Sequence, residues 1–380
     1  MKYHEPLKQI LSRTRSYWDR DETRPAVRQA FDRAVQCRTA ALGGEVYASE
    51  NEERIFFHSC KSRSCSSCGY RSTVQWQRER WAALPDALYH GITLTMPDVL
   101  WPLFRDNPRL ARALPSLAAT VIQAHVMGRH GVRVGVIAIL HTFNGKLAFN
   151  SHVHTMVTGG GLHGSSGIWV PHVRYDRDGL TKSWRRAVIA LLREALRAHQ
   201  FLTKMRPEQT ESLLTQQESR WWSINMQSFK SKAHFLRYAG RYARRPPIAQ
   251  RRITKIEERT VTFWAKDKRQ RRRVEIECSL EDFIDRWAQH VPERYQHAVR
   301  SFGLFAPRAL KQTNAAIFVM LGQERRPRPK PRRWADSLKR DFGRDPLLDP
   351  SGRRMKWVRR LASTSHRSAL LQNELWATQR

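Results

Sequence analysis

The run Phe149-Asn150-Ser151-His152-Val153-His154-Thr155-Met156-Val157 alternates like a strand yet carries two histidines one residue apart. In a strand, residues i and i+2 share a face, so His152 and His154 stand side by side with Val153 opposite. Two imidazole nitrogens can then be offered to one metal ion. Taken alone, the pair also fits two histidines that are simply hydrogen-bonded. The preceding segment adds His141 across an Asn144-Gly145 turn, a hairpin signal. Pairing those strands brings His141 beside the His152/His154 face as a third ligand, ahead of the rivals His163 and His234. Three neutral ligands leave positions open on a hard divalent ion, Mg²⁺ or Mn²⁺, where phosphate oxygens can bind and be polarised.

A second group lies in FLRYAGRYARR, where Tyr238 and Tyr242 are four residues apart and a helix sets both hydroxyls on one face. Lys230, Lys232, Arg237, Arg241, Arg244 and Arg245 surround them with positive charge and read as DNA-backbone contacts. A phenol is a poor nucleophile near neutral pH, since its reference pKa is about 10. Nearby cations, and a metal that draws charge off a phosphate, would ease its attack. Tyrosine pairs on helices also pack without doing chemistry. Gly240 between them weakens the helix and lets a backbone or a DNA strand approach closely.

The third group is Cys60-x4-Cys65-x2-Cys68, within HSCKSRSCSSCG. Thiolates at x2 spacing bend back on one tetrahedral Zn²⁺, and Arg63 to Gly69 suit the knuckle. The fourth ligand is open between Cys37, the sulfur candidate, and His58, which stands very near Cys60. A thioredoxin-like redox pair is the weaker reading, because no βαβ pattern frames the cysteines.

The elements that must position these groups follow from periodicity. Residues 1 to about 36 read as charged helices, about 37 to 80 as the cysteine segment with a short hairpin, and STVQWQRERWAALP as a helix stopped at Pro85. YHGITLTMP reads as a strand, and a helix from about Asp98 to Met127 is interrupted near Pro108 and Pro115. VRVGVIAILHTF and LAFNSHVHTMVTGGG form the hairpin. TKSWRRAVIALLREALRAHQFL is an amphipathic helix, with Trp184, Val188, Leu191, Leu192, Ala195 and Leu196 on its apolar side. WWSINMQSF is a strand, KSKAHFLRYAGRYARR a helix ended by Pro246-Pro247, and RRITKIEERTVTFWAKDKRQRRRVEIECSL a hairpin region. The order predicts an α+β fold, an antiparallel sheet with helices on one face. The expected partition is 1–84, a helical and zinc-binding module that contacts DNA; 85–321, the central domain with its C-terminal extension; and 322–380, a flexible basic tail rich in Pro and Arg.

Composition narrows the partners. The chain has 68 Lys and Arg against 34 Asp and Glu, a formal charge of +34 spread over most of its length. Such a surface calls for a polyanion. No apolar run is long enough to span a membrane and neither end is a basic amphipathic segment, so nucleic acid leads over a lipid surface. Most of the 13 Trp are expected in cores, with the remainder free to stack on bases. The N-terminal MKYHEPLKQILSR is not a secretion signal, which places the chain in the reducing cytoplasm, where clustered cysteines bind metal.

Together these segments resemble the rolling-circle insertion-sequence transposases of bacteria, two-tyrosine members of the HUH endonuclease superfamily, from about Cys37 to Leu321. HSCKSRSCSSCG is similar to that family's zinc-binding segment, YHGITLTMP to its first core strand, and ILHTF with HVHTMVTGGGL to its metal-binding hairpin. FLRYAGRYARRPPI resembles its tyrosine helix and HVPERYQHAVRSFGLFAPR its C-terminal block. The resemblance implies an HUH palm of ferredoxin- or RRM-like form and ATP-independent cleavage and rejoining of single-stranded DNA. His152 and His154 would hold the metal and Tyr238 or Tyr242 would attack, giving a 5′-phosphotyrosine and a free 3′-OH. It also implies element ends and target as substrate, host replication proteins as candidate partners, and a site of action at the bacterial nucleoid. Where the family's zinc segment has a further cysteine, near VYASEN, this chain has Ser49. The rival readings are a noncatalytic zinc-dependent DNA-binding regulator, a replication initiator with the same chemistry, and an RNA-binding protein with aromatics on a sheet face. The absence of a P-loop GxxxxGK[ST] and the zinc segment favour the transposase over the initiator.

Overall fold

The hairpin is the centre of the molecule. In the computed structural model, which describes residues 5–62, 64–243, 246–267, 272–293 and 296–364, strand Gly135–Phe143 pairs antiparallel with Phe149–Thr158. The sheet grows to five strands in the order Val299–Gly303, Gly135–Phe143, Phe149–Thr158, Tyr89–Leu94, Ile224–Phe229, every neighbour antiparallel. The α+β antiparallel architecture is as expected.

Side-chain alternation sorts the sheet into two faces. Ala138, Leu140, Val153 and Val157 point into the largest core, with Ala118 and Ile122 of helix Pro108–His130 and Trp184, Val188 and Leu192 of helix Arg177–Arg197. Ile137, Ile139 and Met156 point the other way, onto Phe235, Leu236 and Ala239 of the tyrosine helix, Lys232–Ala243, and onto Trp76 of the cysteine helix, Ser66–Ala83. Helices therefore lie on both faces, where one was expected to carry them. The physical reason is the near-continuous apolar run in VIAIL, which makes both sides of the central strand hydrophobic and leaves neither fit for water.

Local details depart from the sequence reading in instructive ways. The helix break occurs at Asn107-Pro108, but Pro115 sits inside an unbroken helix, where buried Leu114 and Ala118 hold the chain in register. The hairpin turn is a longer loop: the Asn144 side chain accepts from the backbone N–H groups of Lys146 and Ala148. Leu147 takes a left-handed φ of 60° and is buried in a second core. That core unites helices Pro6–Arg13 and Pro25–Gln36 with the meander Ile253–Ile256, Thr260–Lys266, Arg273–Ser279 and helix Leu280–Ala288, around Trp18, Phe31, Phe263 and Trp287. The first helices thus pack against the central domain's extension and not only against the cysteine segment.

The expected flexible tail is built into the fold as far as it is described. Lys356–Leu361 pairs antiparallel with Gly44–Ala48, which also pairs with Glu53–Phe57. Helix Trp334–Phe342 sets Trp334 on Phe56, ring centroids 4.6 Å apart, and on Tyr47 at 6.1 Å. Arg- and Pro-rich composition argued for disorder, but a few aromatic anchors and one ladder of backbone hydrogen bonds suffice to hold the segment. No helix among the described residues is long and apolar enough to cross a membrane.

Candidate active site and metal centres

Strand register sets the histidines. His141 is the direct cross-strand partner of His152, and His154 lies between Ile139 and Thr93 of the flanking strands. His141 Nδ1 stands 3.2 Å from His152 Nε2, and His152 Nε2 stands 3.2 Å from His154 Nε2. An octahedral ion with ligands ~2.1 Å away sets adjacent ligand atoms about 3.0 Å apart, so the three nitrogens fit one face of such an ion. Second contacts orient the rings. His152 Nδ1 donates to the Asn150 carbonyl oxygen at 2.8 Å. Because a carbonyl only accepts, Nδ1 carries the proton and Nε2 keeps its lone pair toward the other two rings. Thr93 Oγ1 lies 3.1 Å from His154 Nδ1 and holds that ring from behind. His163 instead contacts Ser165, and His234 packs on Phe229, so neither rival joins the cluster.

The tyrosine helix lies directly over this face. Tyr242 stacks on His154 with ring centroids 3.7 Å apart and 23° between planes, and meets His141 edge-on at 5.7 Å. Tyr238 sits 5.1 Å from Tyr242 and 6.5 Å from His154. Its ring rests over Gly91, where a Cβ would come within 3.4 Å of it. Burial, reinforced by the charge and hydrogen bond of Tyr238 and opposed by Arg241, pushes the Tyr242 phenol up to about 12. Unaided, Tyr242 is a neutral phenol at physiological pH. Gly240 does admit a close approach, but from the cysteine helix: a Cβ there would fall 2.3 Å from Gln77 Nε2. Gln77 Nε2 in turn donates to the Leu236 carbonyl at 2.8 Å.

The basic residues divide. Lys230, Arg237 and Arg241 are exposed around the tyrosines. Arg244 and Arg245 lie outside the described residues. Lys232 does not face DNA: it is 3% exposed, and its Nζ donates to the Leu84 carbonyl at 2.8 Å and the Trp81 carbonyl at 3.2 Å and pairs with Asp86 at 3.0 Å. Those carbonyls are the unsatisfied C-terminal groups of the cysteine helix, which attract a cation.

The cysteine cluster closes without ambiguity. Sγ of Cys37 is 3.6 Å from that of Cys68 and 3.9 Å from that of Cys65, and Cys60 is 3.6 Å from Cys68. Tetrahedral zinc with Zn–S ~2.3 Å separates its sulfurs by about 3.8 Å. Mutual hydrogen bonding splits the thiols: Cys68 is driven down by Cys37, Cys60 and Cys65, and Cys60 is driven up by Cys37, Cys65 and Cys68. Four adjacent sulfurs cannot all share protons comfortably, which is the environment a cation relieves. His58 is engaged elsewhere, with Leu42 O at 3.1 Å and Glu45 Oε1 at 3.0 Å. Ser49 is no ligand; it donates to Asp349 of the C-terminal segment at 2.8 Å.

Sequence reading missed Thr93, Asn150, Gly91 and Gln77. Thr93 alternates with Ile92 and Leu94 in its strand, a signal that becomes readable only once that strand is paired with the histidine strand.

Comparison with known proteins finds transposases. The family described as "Putative transposase" matches residues 135–313, and the "Transposase zinc-binding domain" of the IS91 type matches residues 9–96. The "Transposase for insertion sequence element IS801" of Pseudomonas savastanoi pv. phaseolicola is 29% identical over 331 residues, 83% of this chain and 78% of that protein. "Putative transposase y4qJ" of Sinorhizobium fredii is 29% identical over 313 residues, 78% of this chain and 79% of that protein. No solved structure matches. With its zinc-binding segment, its histidine hairpin and its tyrosine helix inside the matched regions, the chain carries a transposase zinc-binding domain of the IS91 type and a putative-transposase domain, and is similar to the IS801 transposase.

Proposed function

We propose that this transposase cleaves and rejoins single-stranded DNA at its element's ends through a 5′-phosphotyrosine intermediate, in rolling-circle transposition, with Mg²⁺ or Mn²⁺ held by His141, His152 and His154. The observation that carries the reading is the stack of Tyr242 on His154, 3.7 Å apart, over three converging imidazole nitrogens. A divalent ion at that site would draw charge off the non-bridging oxygens of a phosphate beside the tyrosines. Asn150 and Thr93 keep the imidazole lone pairs aimed. Arg237 and Arg241 hold the strand's phosphates from the exposed side of the helix. The Tyr242 oxygen attacks phosphorus and loses its proton to solvent. The bond to the 3′ oxygen breaks, and that oxygen leaves as a 3′-OH. The covalent bond conserves the phosphoester's energy, so attack by another 3′-OH rejoins DNA and releases the phenol without ATP. Tyr238 can hold a second end by the same chemistry. Zn²⁺ on Cys37, Cys60, Cys65 and Cys68 is structural. We place the activity at the bacterial nucleoid, where host replication proteins supply single strands.

A labelled single-stranded oligonucleotide bearing the element's end tests this. Cleavage should require added Mg²⁺ or Mn²⁺ and should vanish in His152→Ala and in the double Tyr238→Phe/Tyr242→Phe variant. The reading fails if DNA binds and the double variant still cleaves, or if no metal supports cleavage by the native chain. The second outcome leaves a zinc-dependent DNA-binding regulator.

A further inference from the structure

We propose that the groove between the cysteine helix and the returning C-terminal segment is a second single-strand DNA site, with the backbone among Arg71, Arg78 and Arg332 and a base against Tyr70 and Phe342. The inference takes from the proposed function only that the polyanion is DNA; it does not depend on tyrosine chemistry.

Charge pairing distinguishes this groove from the rest of the C-terminal segment. On and just before the C-terminal strand, Arg353, Arg354, Arg359 and Arg360 each face a carboxylate, on Glu50, Asp345, Glu53 and Glu45 respectively. In the groove, whose walls include Arg71, Arg78, Arg332 and Asp341, no carboxylate among the described residues forms an ion pair with any of the three arginines. Arg71 and Arg78 are instead anchored by neutral acceptors. Arg71 Nη2 donates to the Arg332 carbonyl at 2.9 Å. Arg78 Nη1 donates to Gln75 Oε1 at 3.1 Å and to the Lys330 carbonyl at 3.4 Å. A guanidinium has five N–H donors, so Arg71 and Arg78 are each held in place with donors to spare. Burial and the neighbouring charges of Arg78 and Arg340 pull the Arg332 pKa down, against Asp341 and Asp336, which pull it up. Four cations against two carboxylates leave the groove net positive, a charge that phosphate complements.

Aromatic exposure points to a single strand over a duplex. Tyr70 and Phe342 lie side by side with ring centroids 5.9 Å apart, yet they are 44% and 63% exposed. Tyr70, Val74 and Arg78 fall at i, i+4 and i+8 on one stripe of the helix, which aligns the aromatic end with the cationic wall. A basic track beside exposed rings is how unpaired strands are held without sequence preference. The same helix also grips the tyrosine helix, through Gln77.

The test is fluorescence anisotropy with a labelled oligothymidine of about 20 nucleotides, without added Mg²⁺ or Mn²⁺, from about 50 to 200 mM salt. Loss of three phosphate contacts to a single strand should reduce the slope of log affinity against log salt by about 2 and weaken binding about tenfold or more. This is expected for Arg71→Gln/Arg78→Gln/Arg332→Gln. The matching triple Lys variant, which keeps charge but changes the contacts to the C-terminal segment, should keep its slope. Arg353→Gln/Arg354→Gln/Arg359→Gln, with the same loss of charge, should bind as the native chain does. Tyr70→Ala should weaken binding at least fivefold with no change of slope, since stacking is uncharged. Equal losses in the Gln and Lys triples, or in the two Gln triples, would overturn the proposal, as would equal binding of a duplex lost by the same variants. Failure of the nuclease reading would leave all these results unchanged.

Discussion

Lys232→Met separates a structural lysine from a DNA-binding one. The native ammonium makes two charged hydrogen bonds to main-chain carbonyls, at 2.8 and 3.2 Å, in a site where the residue is 3% exposed. Hydrogen bonds to charged groups contribute about 1.5–3 kcal/mol each, and the more exposed Asp86 adds no more than about 1 kcal/mol. Methionine fills most of the space of the lysine stem, so the cavity term is small. The expected loss is about 3–5 kcal/mol, or of the order of 6–15 °C in melting temperature for a domain of this size. Thermal unfolding by tryptophan fluorescence measures it. The companion variant Arg237→Gln/Arg241→Gln should melt like the native chain and reduce the salt slope of single-strand binding by about 1.4. The reasoning is refuted if Lys232→Met melts normally while its DNA-binding slope falls by about 0.7, as expected for one lost phosphate contact.

Two further outcomes follow from the helix that joins the zinc cluster to the tyrosines. Cys60→Ser should lower bound zinc from about one per chain to a small fraction and abolish a zinc-restorable unfolding step; undiminished zinc content would remove Cys60 from the ligand set. Gly240→Ala should leave stability within about 1 kcal/mol, because better helix propensity offsets the lost Gln77 bond. Cleavage should fall at least about tenfold, since a displacement near 1 Å at a reacting group can cost a hundredfold. Adding Gln77→Ala makes room for the new methyl and should restore activity; no recovery in the double variant would show that this contact does not position the tyrosines.

How far these groups were legible in the sequence depends on how local their signals are. The histidine face follows from strand alternation, and the opposition of His141 and His152 from one turn signal, although the turn itself became a loop with Leu147 buried. Tyr238 and Tyr242 needed only the helical repeat. The cysteine spacing indicated zinc, but the choice of Cys37 over His58 required the contact of His58 with Glu45. Lys232 was misread because a lysine in a basic run looks solvated, and only the tertiary fold brings the carbonyls of Trp81 and Leu84 to it. The C-terminal strand was missed for a related reason: Lys356–Leu361 finds its partner about three hundred residues away, and local composition carries no trace of such a pairing. The second helical face of the sheet was implicit in the continuous apolar run of VIAIL, which a half-exposed strand would not show.

The most direct test of the central claim is the mass of the protein–DNA adduct. Native protein would be reacted with element-end single strands and Mn²⁺, trimmed with nuclease and digested with trypsin. Cleavage after Arg237, Arg241 and Arg244 separates the two tyrosines into Tyr-Ala-Gly-Arg and Tyr-Ala-Arg. The account predicts a nucleotide joined through a 5′-phosphate to Tyr-Ala-Arg from the first cut, with Tyr-Ala-Gly-Arg modified when a second end is held. DNA cut to completion with both peptides unmodified at every time point would contradict it.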